Sequence, residues 1–206
     1  MPESADEVYA RVVAAVGENG RLPAPPIADW DVFPWEARDG AVVPKVLASP
    51  GQEPPREGEE GGPPCWLCAG GVPEDRIVWE DERWLVTAEP KPTGMPLVVV
   101  LWTREHLDFG DLDDDQASEF GRISNRLVRI IQGMPNIGRV HVNRWGDGSS
   151  HFHVWFFART QGLNAIKGSY AVEWDEILPG GPEDVWRADL HTIAAKLANW
   201  DGHARV

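Results

Sequence analysis

The sequence predicts an α+β protein: an antiparallel sheet carrying one main helix, with further helices toward both termini. Three observations carry this. Short runs rich in Val, Leu, Ile and Trp, bounded by Gly, Pro and Asp, recur between residues 76 and 158. One long stretch between them, 113–132, spaces its apolar residues at helical intervals. Two stretches near the termini, 5–17 and 182–200, are amphipathic with helix punctuation.

In order, "ADEVYARVVAAVG" reads as a short helix ended by Gly17 and Gly20. "DWDVFPWEARDGAVVPKV" looks extended with turns, and Trp30, Phe33 and Trp35 could wrap it onto a core. "SPGQEPPREGEEGGPP" (49–64) reads as a mobile loop or linker. "RIVWED" and "WLVTAEP" form a hairpin turning near Asp81–Arg83, and "PLVVVLW" is a buried strand. "DDDQASEFGRISNRLVRIIQG" has acidic residues where a helix N-terminus favours them and a glycine stop at Gly133. "GRVHVNRW" and "HFHVWFFA" are two strands joined through "GDGSS", and Pro182 opens the last helix. The organisation expected is an N-terminal extension over 1–60, a core over 61–165 and a C-terminal extension with a helix over 166–206.

The 206 residues carry a formal charge of −14, which argues against broad binding to nucleic acid, since that needs many cations near phosphates. A single phosphorylated ligand remains compatible, because a few backbone N–H groups hold one locally. The longest apolar run, "MPLVVVLW", is strand-sized, well short of the roughly 20 residues of a spanning helix, so no membrane partner is expected. "MPESADEVYA" lacks the apolar segment of a secretory signal, and a cytoplasmic protein is the expectation. The chain's two cysteines, Cys65 and Cys68, make no disulfide framework.

Cys65-Trp66-Leu67-Cys68 is a C-x-x-C pair preceded by prolines and followed by "AGGVPED". That suits a metal knuckle, or two ordinary buried thiols, better than a redox pair, which wants a strand before it and a helix opening at it. Two more ligands would have to be histidines or carboxylates. In His151-Phe152-His153-Val154-Trp155, strand alternation puts His151, His153, Trp155 and Phe157 on one face, with the two histidines about 6–7 Å apart. That spacing suits two separate jobs, one on a metal and one on a substrate. His141, Arg144 and Arg159 read more simply as ordinary strand or surface residues, and so do His191 and His203.

From Cys65 to about Arg159 the chain resembles the histidine-triad superfamily, including its galactose-1-phosphate uridylyltransferase branch. The resemblance rests on "CWLC", on "VWED" with "PTGMPLVVVLWTREH", and on "GRVHVNRWGDGSSHFHVWF". It implies a structural zinc ion held by Cys65, Cys68, His106 and His151, and a nucleotide or nucleotide-conjugate substrate. It also implies a nucleophile at His153, forming a covalent nucleotidyl-histidine at the α-phosphate. Asn143 matches the family's phosphate- or ribose-side asparagine, and Gly148, Ser149 and Ser150 would donate hydrogen bonds to phosphate oxygens. A homodimer is also implied. Where the family places His or Gln, this chain has Trp155, which keeps one N–H donor but cannot act as an acid. The expected activity is nucleotidyl transfer or nucleotide hydrolysis. The competing readings are a zinc-stabilised nucleotide-binding module with little turnover, and a hydrolase with a catalytic metal on His151, His153 and His106.

Overall fold

The computed structural model describes residues 1–22 and 33–206; Trp30, expected to help wrap the N-terminal extension, lies outside them. Helix α1 (Ala5–Ala15) precedes a small hairpin of β1 (Trp35–Arg38) and β2 (Ala41–Pro44). Then come the short helix α2 (Trp66–Gly70) and strands β3 (Ile77–Glu80), β4 (Trp84–Ala88) and β5 (Leu97–Thr103). Helix α3 (Asp114–Gln132), strands β6 (Ile137–Asn143) and β7 (His153–Thr160), helices α4 (Tyr170–Ile177) and α5 (Glu183–Ala198), and β8 (His203–Ala204) complete the chain. Six strands form one antiparallel sheet in the order β6-β7-β5-β4-β3-β8. The fold is therefore the predicted α+β class.

Alternation along β7 divides the sheet into two faces. Val154, Phe156 and Ala158 join Val99, Leu101 and Val86 in the main core, beneath Leu127 and Ile131 of α3 and Leu190 and Ile193 of α5. Such a side chain contributes about 1.5–3 kcal/mol on full burial. An exposed i,i+4 ion pair such as Arg187–Glu183 contributes about 0.3–0.5 kcal/mol. The sheet–helix layer, not the surface charge, therefore holds the fold. Asp113 caps α3, accepting from the Gln116 N–H while the Gln116 side chain accepts from the Asp113 N–H.

On the other face, Val98 and Phe157 meet Met95, Ile166, Ala171 and Leu178, with Trp155 and Val12 packed alongside. Helix α4 makes much of this cover and has no counterpart in the sequence reading. It is eight residues long, and Ser169 makes no side-chain cap bond at its start, so local signals for it are weak. Its anchor is tertiary: the Met95 N–H donates to Asp175 Oδ1 at 2.6 Å and the Gly94 N–H to the Asp175 carbonyl at 3.1 Å. The cover ends before Trp102 and His153, which leaves that part of the face for a cleft.

Two expectations about the chain path are corrected. His151 is not on the strand with His153: β7 begins at His153, and His151 lies in the bend before it. The backbone there bonds elsewhere, the Ser150 N–H to the Glu57 carbonyl at 2.9 Å and the Phe152 N–H to the Leu107 carbonyl at 2.6 Å. Nor is the whole of 49–64 a free linker. Arg56 binds the Gly146 carbonyl, Asp108 and Glu59, and Glu57 bridges to Ser149, so the segment from Arg56 to Gly62 straps down the loop before β7.

Burial holds the Asp175 carboxyl above its ordinary 3.8, despite the opposing hydrogen bonds from the Met95 N–H and Thr93. The folded protein therefore binds this proton more tightly than the unfolded chain does. The linked stability is present at low pH and is lost as pH rises through the raised value. Asp175→Asn keeps the acceptor for Met95 and removes the titration. Relative to wild type, the variant's denaturation free energy should improve as pH is raised from about 4; a pH-independent difference would contradict this.

Candidate active site

Helix α2 opens directly at Cys65, and one turn places Cys68 beside it. His106 follows β5 and His151 precedes β7, two strands that are neighbours in the sheet. The four ligand atoms, two Sγ and two Nδ1, lie within 4.8 Å of one another. His151 Nδ1 is 3.4 Å from Cys65 Sγ and 3.5 Å from Cys68 Sγ, and His106 Nδ1 is 3.4 Å from Cys68 Sγ. A tetrahedral zinc centre with bonds of about 2.3 Å to sulfur and 2.0–2.1 Å to nitrogen has S···N edges of about 3.5 Å, so the donor set fits that metal.

The protons agree with this. His151 Nε2 is 2.8 Å from the Thr103 carbonyl, which can only accept, so Nε2 carries the hydrogen and Nδ1 presents a lone pair to the sulfurs. Ser150 Oγ donates to the Glu57 carbonyl at 3.0 Å and so accepts from His106 Nε2 at 3.2 Å. The His106 Nδ1 lone pair then faces Cys68. Burial holds the His151 pKa below 6.5, against the opposing bond to Thr103, which favours the neutral ligand form. Desolvation first, then the hydrogen bond and charge of Cys65, push the Cys68 thiol up to about 11. A cation bound between neighbouring thiols offsets this by favouring the thiolate.

The strap packs onto this cluster. At Gly58, φ is +88°, and a Cβ would stand 2.4 Å from His106 Cε1 and 2.8 Å from Ser150 Oγ. Glycine is required there both for conformation and for space. The Glu57 carboxylate accepts from the Trp66 N–H at 2.6 Å, tying the strap to the start of α2.

His153 stands beside the cluster. Its Nδ1 is 2.8 Å from the His151 carbonyl, so Nδ1 carries the hydrogen and Nε2 keeps its lone pair. The Trp102 ring lies 5.3 Å from the imidazole, and Trp66 lies 6.3 Å from Trp102. A cleft of about 320 Å³ is lined by His153, Ser149, Gly148, Trp102, Trp155 and Glu57 among others.

Of the residues singled out in the sequence, Cys65, Cys68, His106 and His151 come together as one cluster. His153, Gly148, Ser149 and Trp155 line one cleft next to it. Ser150 is buried, and its hydroxyl is engaged by His106 and Glu57. Ser149 Oγ accepts from the His151 N–H at 3.2 Å. Asn143 is opposite Trp155 in the sheet, on the face that carries His153. Arg144 pairs with Asp108, and Arg159 donates to the Thr160 and Leu163 carbonyls, so both cations are occupied. Burial, and then the charge of Arg159, lower the His141 pKa. Sequence reasoning missed Trp66, Trp102 and Glu57. "REGEEGG" looked like linker, and the one local signal in it was a glycine directly after a charged pair.

An antiparallel α+β sheet with a Cys2His2 cluster beside an oriented histidine defines the class of site. No family model matches the chain, and no curated protein sequence does. Among solved structures the chain resembles histidine-triad proteins. One, from Marinobacter aquaeolei, is 16% identical with a TM-score of 0.48, over 61% of this chain and 91% of that one. Another, from Bradyrhizobium japonicum, is 16% identical with a TM-score of 0.47, over 60% and 92%. A zinc-bound histidine triad family protein from Mycobacterium smegmatis is 17% identical with a TM-score of 0.46, over 66% and 94%.

Partners that orient metal-bound histidines typically govern affinity by about 10–100-fold. Ser150→Ala removes the acceptor for His106 Nε2 and should weaken zinc retention by that order in competition with a chromophoric chelator. Unchanged retention would detach Ser150 from the cluster.

Proposed function

We propose that this chain is a histidine-triad-like nucleotidyl transferase or nucleotide phosphohydrolase that reacts at an α-phosphate through His153. The observation that carries the proposal is the bond from His153 Nδ1 to the His151 carbonyl, which leaves the Nε2 lone pair available beside the cleft. In this reading Nε2 attacks the α-phosphorus, a P–N bond forms, and the leaving group departs with the electron pair of its bond to phosphorus. The imidazole becomes cationic, and the His151 carbonyl, already bonded to its Nδ1–H, offsets that charge. An acceptor hydroxyl or water then attacks phosphorus and passes its proton to solvent, and the P–N bond electrons return to Nε2. Gly148 and Ser149 line the cleft where phosphate oxygens would lie.

Cys65, Cys68, His106 and His151 would hold zinc as a closed structural site, whose contribution is to fold and fix the bend before β7. Residues 61–165 form the histidine-triad-like core in this reading, with 1–60 and 166–206 as extensions. A cytoplasmic setting suits two thiols kept reduced for a metal. A homodimer belongs to the same reading, with β6 at the edge of the sheet and its Val142 exposed. A catalytic metal on His106, His151 and His153 has less support, because His153 is outside the cluster of ligand atoms and its Nδ1 is already bonded.

A second reading, a nucleotide-binding module with little turnover, draws on Trp155. Its ring stacks on Phe157 at 5.8 Å and offers no acid for a leaving group. Acid quench after incubation with labelled nucleoside phosphoramidates, dinucleoside polyphosphates and nucleotide sugars separates the two. The enzyme reading predicts a His153-linked nucleotide, lost in His153→Ala; equal turnover by that variant would refute it. General acids are worth about 10²–10⁴-fold. Trp155→His should therefore raise turnover most for substrates with poor leaving groups, and an equal change for good and poor leaving groups would count against a missing acid.

A further inference from the structure

Glu57 is the one charged side chain among the described residues that line the cleft, and no Lys or Arg lines it. Its position is built, not incidental. The Glu57 N–H donates to the Gly148 carbonyl at 3.1 Å, and its own carbonyl accepts from the Ser150 N–H at 2.9 Å and from Ser150 Oγ at 3.0 Å. Its carboxylate is held by the Trp66 N–H at 2.6 Å. Cations of the neighbouring segments are committed elsewhere: Arg56 to Asp108 and Glu59, Arg144 to Asp108, and Arg76, whose guanidinium lies 5.5 Å from the Trp66 ring, to the Ala88 carbonyl and Glu89. The chain as a whole carries −14.

A fixed carboxylate with no cation beside it repels an anionic leaving group and attracts a cationic one. We propose that Glu57 is a specificity-determining residue that selects nucleotide conjugates whose leaving group bears an ammonium and rejects those whose leaving group bears added negative charge, such as a polyphosphate. This rests on the reading of the cleft as a nucleotide-conjugate site. It gives the strap a function beyond packing: the segment that buttresses His106 through Gly58 also sets the charge of the substrate site.

Two probes isolate that charge. Both are nucleoside 5′-phosphoramidates made in adenosine, guanosine and uridine forms, one from ethylenediamine with a terminal ammonium and one from β-alanine with a terminal carboxylate. In each, the P–N bond to the amine breaks, a bond from phosphorus to His153 Nε2 forms, and the departing amine takes its proton from solvent. The two differ in remote charge and in the basicity of the departing amine, and the second difference cancels when the wild-type ratio is divided by that of the variant. Glu57→Gln keeps an oxygen acceptor for the Trp66 N–H and removes only the charge. Wild type should prefer the ammonium probe in kcat/KM by about tenfold or more. Glu57→Gln should lower that ratio about tenfold, and Glu57→Lys should lower it further. The same dissociation-constant ratios are measured in a His153→Ala background, which needs no turnover. A binding preference that Glu57→Gln abolishes, without turnover by wild type, sustains the role of Glu57 and removes the catalytic reading. Normal turnover with a ratio that Glu57→Gln does not move overturns the role of Glu57 and leaves the catalytic reading intact. Failure of both probes to bind removes both.

Discussion

The site depends on the two ends of one residue. The side chain of His151 joins Cys65 and Cys68 in the Cys2His2 cluster, while its main-chain carbonyl accepts from His153 Nδ1. Whatever fixes the ring of His151 therefore fixes the tautomer of its neighbour. The Thr103 carbonyl, at the end of β5, orients that ring from the far side. In the proposed reading, metal ligation, sheet geometry and the aim of the nucleophile are coupled through a few covalent bonds. A shift of the bend before β7 would disturb all three.

This coupling explains why the backbone leaves the sheet just before His153. On a continued strand, His151 and His153 would share a face and sit side by side in the cleft. The bend instead buries the imidazole of His151, at 1% exposure, and leaves His153 half-buried beside open space. The bonds that would have continued the ladder go to Glu57 and Leu107. The N-terminal strap is thus part of the site, and it occupies Ser150 as well. In the proposed reading, phosphate recognition falls to Gly148 and Ser149, which line the cleft with Trp66, Trp102 and Trp155.

Much of the sheet was legible in the sequence because its signals are local. The β-branched run of β5, the Asp81–Arg83 turn and the Asp-capped, Gly-stopped α3 each carry their own punctuation. The Cys2His2 set was legible through residue types in a familiar order. What escaped depends on long-range contacts. Helix α4 is held by Gly94 and Met95, some 80 residues away, and not by its own caps. The stretch read as extended with turns closes as a tight hairpin at Asp39–Gly40, where both φ values are positive; the pairing of its two strands was not read. The strap's Pro/Gly composition resembles a linker because glycine serves equally for freedom and for close approach. At Gly58 the need is close approach to His106, which no local pattern reveals.

In the proposed reading the cluster aims His153 by fixing its proton on Nδ1. Long-range proton–nitrogen correlation spectra of the zinc-loaded protein with labelled histidine test it directly. The account predicts His153 as the Nδ1–H tautomer with an unprotonated Nε2, and His106 and His151 protonated at Nε2 with metal-bound Nδ1. A His153 protonated at Nε2 while the cluster is loaded would contradict it.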